Sequence, residues 1–252
     1  SPFTRSTAHS MRAFCKEGQK IVDVAKGVEE KTLMTLSQII EEEIPQADVA
    51  VLSGPSHAEE VGKCIPTTCV VGAHSRETAE YLQNIFMSKV FRVYTTPDML
   101  GMELGGALKN VIALAAGMAD GLGYGDNTKA ALITRGIAEI ARLGIKMGGI
   151  PETFYGLTGI GDLIVTCCSM HSRNRRAGIL IGEGTSPEDA VKQVGTVEGY
   201  YCCHAAWELA QQHGVSMPIT EQLYHILFDG ADPQQALNNL MTRPKKHEYE
   251  EF

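Results

Sequence analysis

The chain has 252 residues, enough for one large domain or two smaller ones, and its 44% hydrophobic and 21% charged residues are ordinary for a soluble globular protein. The formal net charge of −8 argues against a nucleic-acid binder, because contacts with phosphates require a basic face. The apolar stretches fall short of the roughly 18 residues of a membrane span, and the N-terminus lacks an apolar signal-peptide core, so we expect a cytoplasmic protein.

The cysteine pattern predicts reduced thiols rather than a disulfide framework. The seven cysteines include two vicinal pairs, are odd in number and form no Cys-x-x-Cys motif. His171 and His204 lie close to these pairs in the sequence, but the spacing matches no usual zinc-ligand pattern. Because buried cysteine is common as a small hydrophobic residue, we expect no metal site.

In the first part of the chain, apolar runs typical of strands alternate with segments of helical periodicity. The predicted elements are the end of a short helix at His9–Phe14, a strand at Lys20–Ala25, a helix through Leu33, Leu36, Ile39 and Ile40 that Pro45 ends, a strand at Ala47–Leu52, a strand at Pro66–Gly72, a helix at Ser75–Phe86 with Ser75 as its N-cap, and a strand at Val90–Tyr94. This order predicts an α/β sheet with at least partly parallel strands, whose ends offer a ligand crevice.

After Pro97 the pattern changes to long helical periodicities with few alternating β-branched runs. We predict helices at 98–120, 127–146, 151–155, 173–182, 186–194, 198–213, 218–228 and 232–241. The predicted fold is therefore α/β plus all-α, with an α/β domain at residues 1–96 and a helical domain at residues 97–252.

Two loops that follow predicted strands are candidates for ligand contact. Lys26 and Gly27 come at the strand end where an α/β sheet faces its crevice, although a glycine turn with an exposed lysine is the simpler explanation of these two alone. In the second loop, Gly54 allows close backbone approach, and N–H groups at the following helix start can hold an anion. Ser56 can equally be only a helix cap, and His57 a half-buried surface histidine.

Lys109 and Asn110 lie in an apolar run that continues to Met118 with scarcely a polar side chain. A helix with this composition is expected to be buried nearly all round, and burial lowers the pKa of a lysine toward neutrality. The alternative is a lysine that extends its ammonium group to the surface from a packed helix.

A further candidate site, formed by two segments of the helical half, is suited to bind an anion. Ser172 is a good N-cap for a helix that continues with Arg173 and Asn174, so N–H groups, a guanidinium and an amide can converge on one phosphate. A solvated basic helix start is the alternative. Asp162 either orients a substrate hydroxyl or holds the Lys109 ammonium, unless it is an ordinary turn residue. The glycine-rich segment Gly121–Lys129 fits no phosphate-loop pattern and is expected to join two helices.

Seven ordered segments together resemble the NAD(P)-dependent glycerol-3-phosphate dehydrogenases, and the bacterial type more than the animal type. They are Val24–Gly27, Leu52–Val61, Glu103–Asn110, Gly121–Lys129, Gly159–Asp162, Ser172–Arg176 and Val197–Gly199. The resemblance runs through nearly the whole chain. It implies a Rossmann-like NAD(P)-binding domain at residues 1–96, a helical substrate-binding and dimerisation domain at 97–252, and a homodimer.

The resemblance also implies an activity and the residues that carry it. Members of this family interconvert glycerol 3-phosphate and dihydroxyacetone phosphate with NAD or NADP, and they supply the backbone phosphate ester for glycerophospholipid synthesis. Lys109 matches the family's proton acceptor. The implied substrate contacts are Lys26, Gly54, Ser56, Lys109, Asp162, Ser172, Arg173 and Asn174, and the implied cofactor contacts are Ala58, Arg173, Val197 and Glu198.

The sequence departs from the family in one respect. The family begins with a strand, a Gly-x-Gly-x-x-Gly-type turn and a helix, and this sequence has no counterpart of them, so we expect a truncated cofactor domain with an unpaired strand edge. The choice between NAD and NADP therefore stays open. Two other functions stay open as well: a related β-hydroxyacid dehydrogenase, and a catalytically silent module that binds phosphate or dimerises.

Overall fold

The computed structural model describes residues 3–245 and 247–248, so the ends of both predicted domains lie outside the described residues. The described residues of the first part of the chain form four strands and four helices, with a short 3₁₀ turn after the first helix. In chain order these are α1 (Thr4–Met11), β1 (Lys20–Asp23), α2 (Leu36–Glu43), β2 (Asp48–Ser53), α3 (Ala58–Val61), β3 (Thr67–Ala73), α4 (Arg76–Phe86) and β4 (Phe91–Thr96).

The strands form one mixed sheet in the order β1-β2-β3-β4. β1 is parallel to β2, β2 is antiparallel to β3, and β3 is parallel to β4, which confirms the prediction of a partly parallel sheet. β1 ends at Asp23, two residues before the predicted end. Its outer edge has no strand partner within the described part of the chain. The predicted N-cap of α4 is confirmed, because the Ser75 side chain accepts a hydrogen bond from the backbone of Thr78.

After β4, the described residues are almost entirely helical. The helices are α5 (Met99–Gly121), α6 (Asp126–Lys146), α7 (Pro151–Phe154), α8 (Asp162–Cys168), α9 (Arg173–Gly182), α10 (Pro187–Val194), α11 (Glu198–His213), α12 (Pro218–Phe228) and α13 (Pro233–Met241). Helix α8 and the wide π-type turn before it at Leu157–Gly161 were not predicted from the sequence. The two glycines of this turn interrupt the apolar periodicity on which a helix prediction depends.

Helix α5 is the centre of the helical half and is buried on every side, as the apolar run predicts. By length and composition α5 could cross a membrane, but 89% of its most apolar window is buried inside the protein, as in the core helix of a globular protein. Met99 and Met102, in its first turn, pack against Val51 of β2 and join α5 to the sheet.

Close backbone packing holds α9 against the second half of α5. Glycines spaced four residues apart face each other, and a Cβ at any of them would overlap a carbonyl oxygen of the opposite helix. The four are Gly117 and Gly121 on α5, and Gly178 and Gly182 on α9. Only glycine allows two helices to approach this closely, so these positions fix the distance between α5 and α9.

Two buried carboxylates join helices that are distant in sequence. Asp98 is the N-cap of α5 through Oδ1, and its Oδ2 accepts hydrogen bonds from the backbone of Ile150 and the hydroxyl of Thr153, at 2.8 and 2.6 Å. Glu139 of α6 accepts backbone hydrogen bonds at the start of α12, the shorter being 2.8 Å. Burial raises the pKa of the Glu139 carboxyl to about 7, against the opposing effect of these N–H donors.

Candidate active site

The Lys109 amine lies inside the protein, with only 5% of the residue exposed. Its Nζ donates to Oδ1 of Asp162 at 2.8 Å and to Oγ1 of Thr166 at 2.7 Å. The alternative in which Lys109 reaches the surface is therefore wrong. Burial, and after it the charge of Lys26, lowers the pKa of the Lys109 amine to about 8, although Asp162 acts in the opposite direction. Such an amine exchanges protons close to neutral pH.

Asp162 joins Lys109 to the sheet, because its second oxygen binds Lys26. The Lys26 Nζ lies 2.5 Å from Oδ2 of Asp162 and 3.2 Å from the carbonyl oxygen of Gly54. One buried carboxylate thus holds two amines, one from each half of the molecule. The interpretation of Asp162 as an ordinary turn residue is wrong.

The ends of two parallel strands bring Lys26 and Gly54 to the same edge of the sheet. Lys26 follows β1 and Gly54 follows β2. Gly54 has a φ of +149°, and a Cβ there would lie 3.0 Å from the Cα of Cys69 on the neighbouring strand. A side chain is therefore excluded, which leaves the Gly54 carbonyl oxygen close to the Lys26 amine.

Ser56 and Ala58 occupy the loop after Gly54 and the start of α3. The Ser56 hydroxyl donates to the Gly54 carbonyl oxygen at 3.2 Å and does not cap a helix, since His57 is the residue before α3. Ala58 is exposed at the first position of α3. This helix is a single turn of four residues, so the predicted anion site at its start lacks the aligned N–H groups of a longer helix.

Ser172 is the N-cap of α9 as predicted, and Asn174 lies buried in the first turn of this helix. The Ser172 hydroxyl accepts from the backbone N–H of Arg175 at 3.2 Å. The Asn174 side chain donates to Oδ1 of Asn110 at 2.9 Å and accepts from the backbone N–H of Gly199 at 2.8 Å. Asn174 therefore fixes the start of α9 against α5 and α11, next to Lys109.

Arg173 and Glu198 lie at the exposed margin of the same region. Their side chains are 46% and 38% exposed, and the guanidinium and carboxylate are 4.0 Å apart. Val197, just before α11, is fully buried. The His57 and His171 rings have centroids 5.9 Å apart, so the loop that carries Ser56 meets the loop that precedes Ser172.

Two residues of this region, Thr166 and Asn110, make contacts that were not predicted from the sequence. Thr166 binds the Lys109 amine because it lies one helical turn after Asp162, which is visible only once α8 is known. Asn110 donates to Oε2 of Glu198 at 3.4 Å and accepts from Asn174, so it joins α5 to two other helices. Its position beside Lys109 in a buried helix was the available signal.

Both halves of the chain match models of the same protein family. Residues 1–79 match the family model described as the N-terminus of NAD-dependent glycerol-3-phosphate dehydrogenase, and residues 98–238 match the model described as its C-terminus. A glycerol-3-phosphate dehydrogenase (NAD(P)+) of Agathobacter rectalis is 63% identical over 250 residues, which cover 99% of this chain and 74% of the relative. One of Fusobacterium nucleatum is 61% identical and has 75% of its length covered.

A solved structure of the same family has the same fold as this chain. The crystal structure of a glycerol-3-phosphate dehydrogenase from Coxiella burnetii superimposes with a TM-score of 0.92 at 38% identity, covering 96% of this chain and 74% of the other. A ketopantoate reductase family protein from Ralstonia eutropha has a TM-score of 0.56 at 14% identity, a similarity of fold alone.

Proposed function

Because the chain belongs to the family of NAD-dependent glycerol-3-phosphate dehydrogenases, we propose that it interconverts sn-glycerol 3-phosphate and dihydroxyacetone phosphate with NAD or NADP. The observation that carries the proposal is the buried Lys109 amine, whose pKa is lowered to about 8. Oxidation of a secondary alcohol releases a proton, and a base with a pKa near the working pH is best suited to accept it.

In the proposed mechanism, neutral Lys109 accepts the proton of the C2 hydroxyl, and protonated Lys109 returns it in the reverse direction. Asp162 holds the amine in place from one side and Thr166 from the other. Lys26 is bound to the same carboxylate and adds a positive charge that stabilises a developing alkoxide. Gly54 and Ser56 line the sheet side of this region.

The substrate phosphate is assigned to the start of α9. Ser172, Arg173 and Asn174 lie there, and the N–H groups of a ten-residue helix favour a bound anion. The exposed Arg173 guanidinium can form two hydrogen bonds with a phosphate. Because the phosphate is remote from C2, its binding energy can orient the reacting carbon toward Lys109.

The exposed margin of the site suits a dinucleotide. Arg173 offers a cation for its phosphates, Glu198 offers acceptors for hydroxyl or amide donors, and their 4.0 Å contact is loose enough to exchange for ligand contacts. We assign Ala58, Arg173, Val197 and Glu198 to this ligand. The bound cofactor supplies the hydride acceptor, and the residues of this chain supply orientation and the proton acceptor.

Three further assignments belong to the proposal. We propose a division into domains at residues 96 and 97, where the sheet gives way to helices. We also propose a homodimer, to be measured by light scattering coupled to size-exclusion chromatography, and a cytoplasmic location, to be measured by cell fractionation.

The test follows NADH or NADPH oxidation with dihydroxyacetone phosphate. The wild type should turn over, and Lys109→Met should lower kcat by about 10²–10⁴-fold, the usual contribution of a positioned acid or base. Unchanged turnover in the variant would refute the role of Lys109. Turnover of a β-keto acid but not of dihydroxyacetone phosphate would indicate a β-hydroxyacid dehydrogenase instead. Calorimetric binding of glycerol 3-phosphate without any turnover would indicate a silent binding module.

A further inference from the structure

We propose that Asp120, Lys129 and Arg175 form a charged network that positions the first turn of α9 and thereby sets the affinity of the site for the substrate phosphate. None of the three is assigned a contact with substrate or cofactor, so they are positioning residues. The inference rests on the proposed function, since it explains how the assigned phosphate site is held in place.

The Asp120 carboxylate lies between the two cations. Lys129 Nζ is 2.7 Å from its Oδ1, and Arg175 approaches its Oδ2 with Nη2 at 2.8 Å and Nε at 2.9 Å. The three side chains are only 14–18% exposed. Water and salt screen such a network less than a surface ion pair, and the two-point contact of Arg175 fixes the direction of its side chain.

The position of Asp120 in its helix supports a dedicated role. Asp120 lies in the last turn of α5, where the helix dipole disfavours a carboxylate. Lys129, in the first turn of α6, and Arg175 neutralise this unfavourable charge. The segment Gly121–Lys129, which has the glycines of a phosphate loop without its pattern, thus turns the chain so that Lys129 returns to the end of α5.

Arg175 connects the network to both sides of the α8–α9 connection. Its Nη1 donates to the carbonyl oxygen of Cys168, the last residue of α8, at 2.9 Å. Its backbone N–H donates to the hydroxyl of Ser172, the N-cap of α9. One residue therefore fixes the distance between α8, which carries Asp162, and the turn assigned to the phosphate.

The network also explains why Arg173 and Arg175 point in different directions. Arg175 turns inward to Asp120, whereas Arg173, two residues earlier on the helix, is 46% exposed and faces Glu198. If Arg175 loses its contacts with Asp120, the first turn of α9 can rotate, and the direction of the Arg173 side chain changes with it. Misplacement of a binding group by about 1 Å is enough to lower an enzyme's efficiency severely.

The test compares the wild type with Lys129→Met and with Arg175→Lys, which keeps the charge and removes the two-point contact. Calorimetry measures the Kd for glycerol 3-phosphate, inorganic phosphate and glycerol. We expect Kd for both phosphate ligands to rise about tenfold in each variant, equivalent to about 1.4 kcal/mol. Binding of glycerol should not change. Lys129→Arg, which keeps the ion pair, should stay within about twofold of the wild type.

Lys192→Met is the matched control, because it removes an exposed lysine from an ion pair with Asp189 and should leave all three ligands unaffected. Steady-state kinetics provide a second measurement. The ratio of kcat/KM for dihydroxyacetone phosphate to that for dihydroxyacetone, which lacks the phosphate, should fall in both variants. Equal losses with both substrates, or a lower Tm with unchanged Kd values, would overturn the inference. If the wild type bound phosphate but not glycerol 3-phosphate, the proposed function would fail, while the phosphate Kd values would still decide the role of the network.

Discussion

Lys26→Met and Asp162→Asn should move the pKa of the Lys109 amine in opposite directions. Lys26 lowers this pKa and Asp162 raises it, while burial, which is the larger influence, is the same in both variants. From the wild-type value of about 8, the pKa should rise when the neighbouring cation is removed and fall when the carboxylate is neutralised.

The contacts set the size of these changes. Two unit charges about 5 Å apart interact by roughly 3 kcal/mol at an effective dielectric of about 20, which corresponds to roughly two pKa units. The Lys26 side chain is 20% exposed, so solvent weakens its effect on Lys109. We therefore expect a rise of about one unit in Lys26→Met. Asp162 is 3% exposed and in direct contact, so we expect a fall of about one to two units in Asp162→Asn.

The assay is the pH dependence of kcat/KM for glycerol 3-phosphate oxidation, followed by NADH absorbance. Its acid limb reports the loss of the proton from Lys109, so the limb should lie near pH 8 in the wild type and shift to either side in the variants. NMR titration of ¹³C-methylated lysines measures the same pKa without turnover. Asp189→Asn, at an exposed carboxylate, should leave the limb in place. If the acid limb shifted in the same direction in both variants, or shifted in neither variant, the assignment of the limb to Lys109 would be refuted.

Three other substitutions test the packing. Glu139→Gln removes a carboxyl whose pKa is raised to about 7 in the folded state, so the wild type should lose about 2.5 kcal/mol relative to the variant between pH 5 and 8, as measured by urea unfolding. A constant difference over this range would contradict the raised pKa. Gly178→Ala should destabilise by about 1–3 kcal/mol because its methyl group overlaps a backbone oxygen, whereas Gly125→Ala, in open space, should not. Asp98→Ala should lower the free energy of unfolding by about 3 kcal/mol, since it leaves donors of two helices unpaired, and an unchanged Tm would contradict that role.

The sequence predicted the parts of the site that depend on local pattern. The apolar run around Lys109 indicated a helix buried on all sides. The position of Lys26 after a strand made it a candidate for ligand contact, although an exposed lysine in a glycine turn was the simpler explanation from the local pattern. The contact of Asp162 with Lys109 was one of the alternatives that the sequence left open, but the contact of Asp162 with Lys26 was not predictable in the same way. Lys26 and Asp162 are 136 positions apart, and the helix that begins at Asp162 follows a glycine-rich turn with no helical period. The hydrogen bond from Lys109 to Thr166 depends on that helix.

The directions in which the neighbouring arginine side chains of α9 point could not be predicted from the sequence either. Arg173–Arg176 contains three arginines in four positions, and composition cannot distinguish one that faces solvent from one that binds Asp120. The partner of Arg175 lies 55 positions away, at the end of another helix. Only the packing of that helix against α9 determines which arginine turns inward.

The glycine contacts between α5 and α9 have a consequence for ligand binding. Helices in backbone contact cannot slide or separate without losing dense packing, so the Lys109 amine and the turn that begins at Ser172 behave as one rigid body. The conformational entropy lost in fixing these groups relative to each other is lost during folding and is not lost again when a ligand binds. Adjustment around the Lys109 amine then falls to the sheet side, at the hydrogen bonds from Lys26 to Asp162 and Gly54, and adjustment at the exposed margin falls to the loose contact of Arg173 with Glu198. Affinity should accordingly respond more to substitutions that loosen the two helices than to changes of similar size in the surface loops.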